Sequence, residues 1–232
     1  METLQQSLGS EYSCVLVCNE WPVGPRADSE FVFWLDDDEC KAAKVRDLTL
    51  IEMSAWDKGF LLAERMDPDF AWFAEDDVLV VDPDVFRTVD AAHPGVDLLI
   101  SPDFVVERSV RRDWDWSRLL QTAPSPNLPL PWFGTACCAQ VLRASRGMMR
   151  AARSHLDREL PKSNMIEYMW QTVAHHARLS VAHPEQMAGL DCHKISLRQI
   201  WPSRGEHFYH SVKGGWQQDK LRRLLRPRRK AL

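Results

Sequence analysis

Cysteine pairs of the CxxC kind are missing from this chain. Its six cysteines (Cys14, Cys18, Cys40, Cys137, Cys138 and Cys192) form no CxxC pair, which argues against a zinc site of that kind. Several lie inside apolar runs, as buried free thiols do, so a reduced, intracellular protein is expected. No apolar run approaches the roughly 20 residues that a membrane-spanning helix needs. The segment Met1–Ser7 shows no basic stretch followed by an apolar one, so no secretory leader and a cytoplasmic location are expected. A role in a secretory compartment would need an anchor outside this chain. Positive charge is not in excess either. The formal net charge of −4 gives no reason to expect nucleic-acid binding. No internal repeat is evident, which leaves repeat architectures aside.

What is present is the material of an ordinary α/β domain. A length of 232 residues accommodates one sizeable domain or at most two small ones. Apolar content of 45% and charged content of 27% are typical of globular chains. Ten tryptophans are many for this length. They suit a large core or interface, and sugar-handling sites also use indole faces.

Buried strands are expected at Ser13–Cys18, Phe31–Leu35, Ala71–Ala74, Val96–Ser101, Trp132–Val141 and Leu179–Pro184. Helices are expected over Leu48–Met66, closed by Asp67-Pro68, and from Asp82-Pro83-Asp84 to about Ala92. Ser145–Leu156 and Met165–His176 also read as helical. Strand–helix–strand order with continuous apolar runs predicts a parallel or mixed sheet. Between Phe104 and Trp132 the pattern weakens into a long, Pro-rich loop. From Lys220 the chain carries seven basic residues, read as a frayed helix or tail able to touch an acidic surface or a partner. The expected organisation is a domain over residues 1–216 with a basic tail at 217–232.

The most informative stretch is Ala71–Val81. An apolar strand runs into three carboxylates, Glu75, Asp76 and Asp77, and then turns apolar again. Like charges crowded beside a buried strand are unfavourable unless a cation joins them. Oxygen ligands on a loop suit a hard divalent ion such as Mg²⁺ or Mn²⁺. In open α/β sheets ligands gather beyond the carboxyl ends of strands, which is where this triplet falls.

Trp-Phe-Ala-Glu-Asp-Asp-Val after a strand resembles the DxD-type metal-binding segment of nucleotide-sugar-dependent glycosyltransferases of the GT-A fold. The helix around Ser54-Ala55-Trp56-Asp57-Lys58-Gly59-Phe60 is also similar to the one that commonly precedes that motif. The resemblance spreads over about residues 13–215 and is most specific in Ala71–Val81. It implies a single Rossmann-like α/β domain with a mixed, mostly parallel central sheet flanked by helices. It also implies an enzyme moving a sugar from a UDP- or GDP-linked donor to a glycan or other hydroxyl acceptor with the help of Mn²⁺ or Mg²⁺. Asp77 would be the leading metal ligand, with Glu75 assisting directly or through water. Asp76 would face the ribose or the sugar. Such enzymes often close the metal shell with a late histidine followed by a lysine near the phosphates. In Glu206–Trp216, His210 and Lys213 match best, with His207 as the competitor. A histidine ligand favours manganese, and Gly214-Gly215 would let the backbone approach a phosphate.

An inverting transferase needs a carboxylate base for the acceptor hydroxyl. Glu167, at the start of the Met165–His176 helix, fits that place, with Asp157 and Glu159 as rivals and a helix-dipole role as the structural alternative. Asn19, Glu20 and Asp36–Asp38 follow the first two strands, where related folds meet the base and ribose; Asn19 and Asp36 are the chosen positions. The run Asp36-Asp37-Asp38-Glu39 is also a rival metal site. Trp132-Phe133-Gly134 would offer an acceptor platform, and Trp114 and Trp116 a lid. The chain departs from the family in two respects. Only about 70 residues precede the triplet, and no glycine-rich donor loop is recognisable. Two other readings stay open. One is a nucleotidyltransferase or phosphohydrolase in which both acidic runs share a metal site. The other is a carbohydrate- or protein-binding module without turnover.

Overall fold

The computed structural model describes residues 6–18, 32–35, 37–43, 55–101, 140–156, 166–188, 190, 200, 206–210, 212 and 215–225. Within them the chain alternates short strands and helices. β1 (Leu16–Cys18) and β2 (Val32–Trp34) pair in parallel, followed by α1 (Asp37–Ala42) and α2 (Ala55–Met66). Then come β3 (Phe70–Ala74), β4 (Leu79–Val80), α3 (Asp84–Ala92), β5 (Leu98–Ile100) and β6 (Val141–Ser145). After these lie α4 (Arg146–Leu156), α5 (Ile166–His176), β7 (Val181–Ala182), β8 (Phe208–Tyr209) and α6 (Gly215–Leu225).

The central sheet has the order β3-β6-β5-β7. β6 is antiparallel to both neighbours, and β5 pairs with β7 in parallel. Three strands therefore point one way, while the reversed β6 makes two of the three adjacent pairings antiparallel. The fold is mixed α/β with a mixed sheet, and the expectation of mostly parallel pairing does not hold among the described residues.

Period-2 burial explains the layers. Phe73, Leu98, Ile100, Leu142 and Ala144 face one side, packed with Phe60 and Leu61 of α2, Met148 and Ala152 of α4, and Met169 and Trp170 of α5. Trp72, Leu99 and Val141 face the other, packed with Val85, Phe86 and Val89 of α3 and with Phe208. A sheet covered on both faces requires apolar residues at consecutive positions, which is why its strands read as continuous apolar runs. Asp82 receives the amide of Asp84 at 3.0 Å and starts α3. Ser145 Oγ accepts from Met148 N at 3.0 Å and caps α4. Asp67, in left-handed geometry at φ 46°, stands between α2 and Pro68, as the sequence predicted for the end of that helix.

The strand expected at Trp132–Val141 falls mostly outside the described residues, with only Gln140 and Val141 inside them. The described strand runs over Val141–Ser145, and residues 131–139 lie outside the described set. Within β6, Arg143 breaks the apolar pattern yet is buried at 1% exposure. Its guanidinium pairs with Asp90 of α3 and donates to the carbonyls of His93 (2.6 Å) and Val96 (3.1 Å). Its face lies 4.3 Å from the Phe70 ring centroid. Asp90 also accepts from Trp72 Nε1 and from the hydroxyl of Tyr12, whose own proton is held more tightly through burial and that carboxylate. One buried cation thus ties α3, the α3–β5 turn and the N-terminal segment to the central strand.

The helix expected over Leu48–Met66 is described from Ala55 onward. α6 crosses the boundary drawn at 216/217 and meets β4 and β8 through Leu221 and Arg222. Cys18 and Cys40 are free thiols. Among the described residues no helix is long and apolar enough to cross a membrane.

Candidate metal centre

The acidic triplet leaves β3 in a tight turn. Glu75 N donates to Gln140 O at 2.9 Å, which prolongs the β3–β6 ladder by one residue. Val78 N then donates to Glu75 O at 3.2 Å, and the chain reverses into β4. β4 pairs antiparallel with β8 in the register Leu79↔Tyr209 and Val80↔Phe208. Continuing that register brings His210 beside the turn, and Val212 N donates to Asp77 O at 2.9 Å. Gln218 of α6 holds the loop from behind, its Nε2 donating to Asp76 O (2.9 Å) and Val212 O (3.1 Å).

These contacts gather Glu75, Asp77 and His210. One donor atom from each lies within 4.8 Å of the other two. His210 Nε2 is 3.1 Å from Asp77 Oδ1 and 4.0 Å from Glu75 Oε2. Side-chain exposures of 36% for Glu75, 18% for Asp77 and 9% for His210 describe a half-sheltered group with its open side at Glu75. Trp56 of α2 donates Nε1 to Glu75 Oε1 at 3.0 Å and stacks on Phe73 at 5.8 Å between centroids. Glu75 therefore has one oxygen fixed by the indole and the other turned to the cluster. Burial pushes the Glu75 carboxyl above its usual range; the indole hydrogen bond opposes this, Asp77 and Asp76 add to it, and His210 opposes it again. A cation at this place would relieve the burial and the repulsion together.

Two carboxylates and an imidazole suit an ion such as Mn²⁺. With metal–ligand bonds of ~2.1 Å, neighbouring ligands sit ~3 Å apart and opposed ligands ~4.2 Å apart. The 3.1 Å and 4.0 Å separations lie within that span. Among the described residues no second group of three such side chains converges in this way.

Of the residues singled out in the sequence, the fold brings Glu75, Asp77 and His210 together. Asp76 is exposed at the turn and is held there by its carbonyl. His207 is turned toward the Tyr209 ring, 6.3 Å between centroids, and does not join the cluster. Glu167 lies in the first turn of α5, with its side chain outside the described set. Asn19, Glu20, Asp36, Lys213, Asp157, Glu159, Trp114, Trp116 and Trp132–Gly134 also lie outside the described residues. The rival acidic run resolves into ion pairs where it is described. Asp37 pairs with Lys58 at 2.8 Å, Asp38 with Lys41 at 3.6 Å and Glu39 with Arg65 at 3.3 Å.

Sequence reasoning missed Trp56 and Gln218 as parts of this site. A half-buried indole that needs a partner for its N–H was a usable signal for the first. Nothing local marks Gln218, which sits beyond the expected end of the domain. Comparison with protein-family models, with curated proteins and with solved structures finds no match for this chain.

Proposed function

We propose that this chain is a metal-dependent glycosyltransferase of GT-A type, moving a sugar from a UDP- or GDP-linked donor to a hydroxyl acceptor with inversion. The observation that carries the reading is the convergence of Glu75, Asp77 and His210 at the carboxyl end of a core strand, from segments more than 130 residues apart. In this reading Glu75, Asp77 and His210 hold Mn²⁺, or Mg²⁺ in its place. The ion's chemistry is to neutralise charge developing on a diphosphate leaving group. Asp76, Asn19, Asp36 and Lys213 serve the nucleotide, and Glu167 takes the acceptor proton.

Support also comes from the sheet, whose layers place the acidic turn beyond strand carboxyl ends, where α/β folds collect ligands. The shared-site phosphotransfer alternative gains no support from Asp37–Glu39, which are occupied by basic partners. The test is isothermal titration of UDP and GDP with and without Mn²⁺, followed by donor hydrolysis over a panel of nucleotide sugars. Metal-dependent diphosphate binding that vanishes in Asp77→Ala is expected. Glu167→Gln should keep donor binding and lose transfer. Metal-independent sugar binding without turnover would replace this reading with a carbohydrate-binding module.

A further inference from the structure

Helix α6 has two unlike sides. Gln218 is buried and holds the acidic turn, Leu221 packs on the Leu79–Tyr209 cluster, and Arg222 donates to Val80 O at 3.1 Å. At 100° per residue the opposite side carries Trp216, Lys220, Arg223 and Leu224 within an arc of about 100°. All four are exposed, Trp216 at 69% and Leu224 at 53%. An indole and a leucyl side chain standing in water, with two cations between them, form an unusual surface for a helix whose other side is fully engaged.

Charge is segregated along the sequence as well. Residues 220–232 contain seven of the chain's 29 basic residues and none of its 33 acidic ones. The remainder then holds 22 basic against 33 acidic, a net of −11. We propose that this face of α6 seats the protein on the surface of an anionic phospholipid bilayer. Lys220 and Arg223 pair with headgroup phosphates and carboxylates. Trp216 and Leu224, about 12 Å apart along the axis, enter the boundary between headgroups and acyl chains. A flat lipid surface fits better than a nucleic acid. Leu224 has no use in base stacking, and a body of net −11 opposes wrapping by a polyanion while permitting one-sided contact. The acidic turn, on the inner side of the same helix, would stand about one helix diameter, ~10 Å, from the headgroups. This inference is independent of the glycosyl-transfer reading.

The experiment is flotation of the full chain with vesicles of phosphatidylcholine alone and of phosphatidylcholine mixed equally with phosphatidylglycerol. Binding is expected to the mixed vesicles only, and to weaken with salt. The paired change Lys220→Gln and Arg223→Gln should lower partitioning about 25-fold, each cation near such a surface being worth roughly fivefold. Trp216→Ala with Leu224→Ala should lower it about tenfold. All four side chains are exposed, so an unchanged melting temperature verifies that the variants fold. Equal binding to neutral vesicles, no binding to either, or wild-type binding by the Trp216/Leu224 variant would overturn the proposal. Capture of single-stranded RNA without vesicle binding would reassign the face to nucleic acid.

Discussion

Replacing Arg143 with methionine removes the charge that fastens α3 to the central strand while keeping most of the stem's volume. Arg143 is 2% exposed as a side chain and Asp90 28%. Removing one partner of a buried ion pair costs ~3–5 kcal/mol, because the other charge is stranded. Here Asp90 keeps Trp72 Nε1 and the Tyr12 hydroxyl as donors and is reached by water. The carbonyls of His93 and Val96 lose a donor at the same time. The low end of the range, about 3 kcal/mol, is therefore expected. For a chain of this size that is a fall in Tm of roughly 6–12 °C. Urea unfolding followed by circular dichroism should show a lower midpoint at unchanged slope. In an Asp90→Asn background the same change should cost less by about 1–2 kcal/mol, since the amide still accepts from Tyr12 and Trp72 but strands no charge. A loss under about 1 kcal/mol, or no coupling in the cycle, would refute the reasoning that Arg143 is held by its pairing with Asp90.

Trp56→Phe keeps a ring to stack on Phe73 and removes the N–H that fixes Glu75 Oε1. Freeing that carboxylate should weaken Mn²⁺ binding about three- to tenfold in calorimetric titration, the cost of immobilising one more side chain; unchanged affinity would show that the indole does not orient Glu75. Asp97 receives Ser145 Oγ, Ser180 Oγ and Ser180 N at 2.8, 2.8 and 3.0 Å. Burial pushes its carboxyl up, but these hydrogen bonds outweigh that and hold it below the usual 3.8. A carboxyl lowered in the folded state adds stability above its unfolded pKa and loses it as pH falls through the folded value. The stability gap between wild type and Asp97→Asn should therefore be full at neutral pH and close below about pH 4 in chemical denaturation; a gap independent of pH would count against the carboxylate as its source.

The layer structure was legible because a sheet covered on both faces leaves a simple trace. Ala71–Ala74 and Val96–Ser101 read as apolar at successive positions, and the described strands fall inside or beside them. The helical spacing of Ser145–Leu156 and Met165–His176 likewise matches α4 and α5. Of β6 only Val141 fell within an expected strand, because hydrophobic pattern treats arginine as a surface residue, and only the presence of Asp90 and two carbonyls makes Arg143 a core residue. The direction of β6 was equally hidden, since pairing depends on what the chain does between β5 and β6.

The amino-acid sequence alone determined that Glu75, Asp76 and Asp77 stand where an apolar strand ends, because adjacency along the chain cannot be rearranged by folding. It did not decide which of them share a site. Asp77 meets His210 because β4 and β8 pair in one register; a slip by a single residue would send the imidazole to the other face. Trp56 reaches Glu75 because α2 packs against Phe73, and Gln218 reaches Asp76 because α6 folds back beneath the turn. Those contacts join residues 19 to 142 positions apart, and only the packed tertiary structure sets such distances.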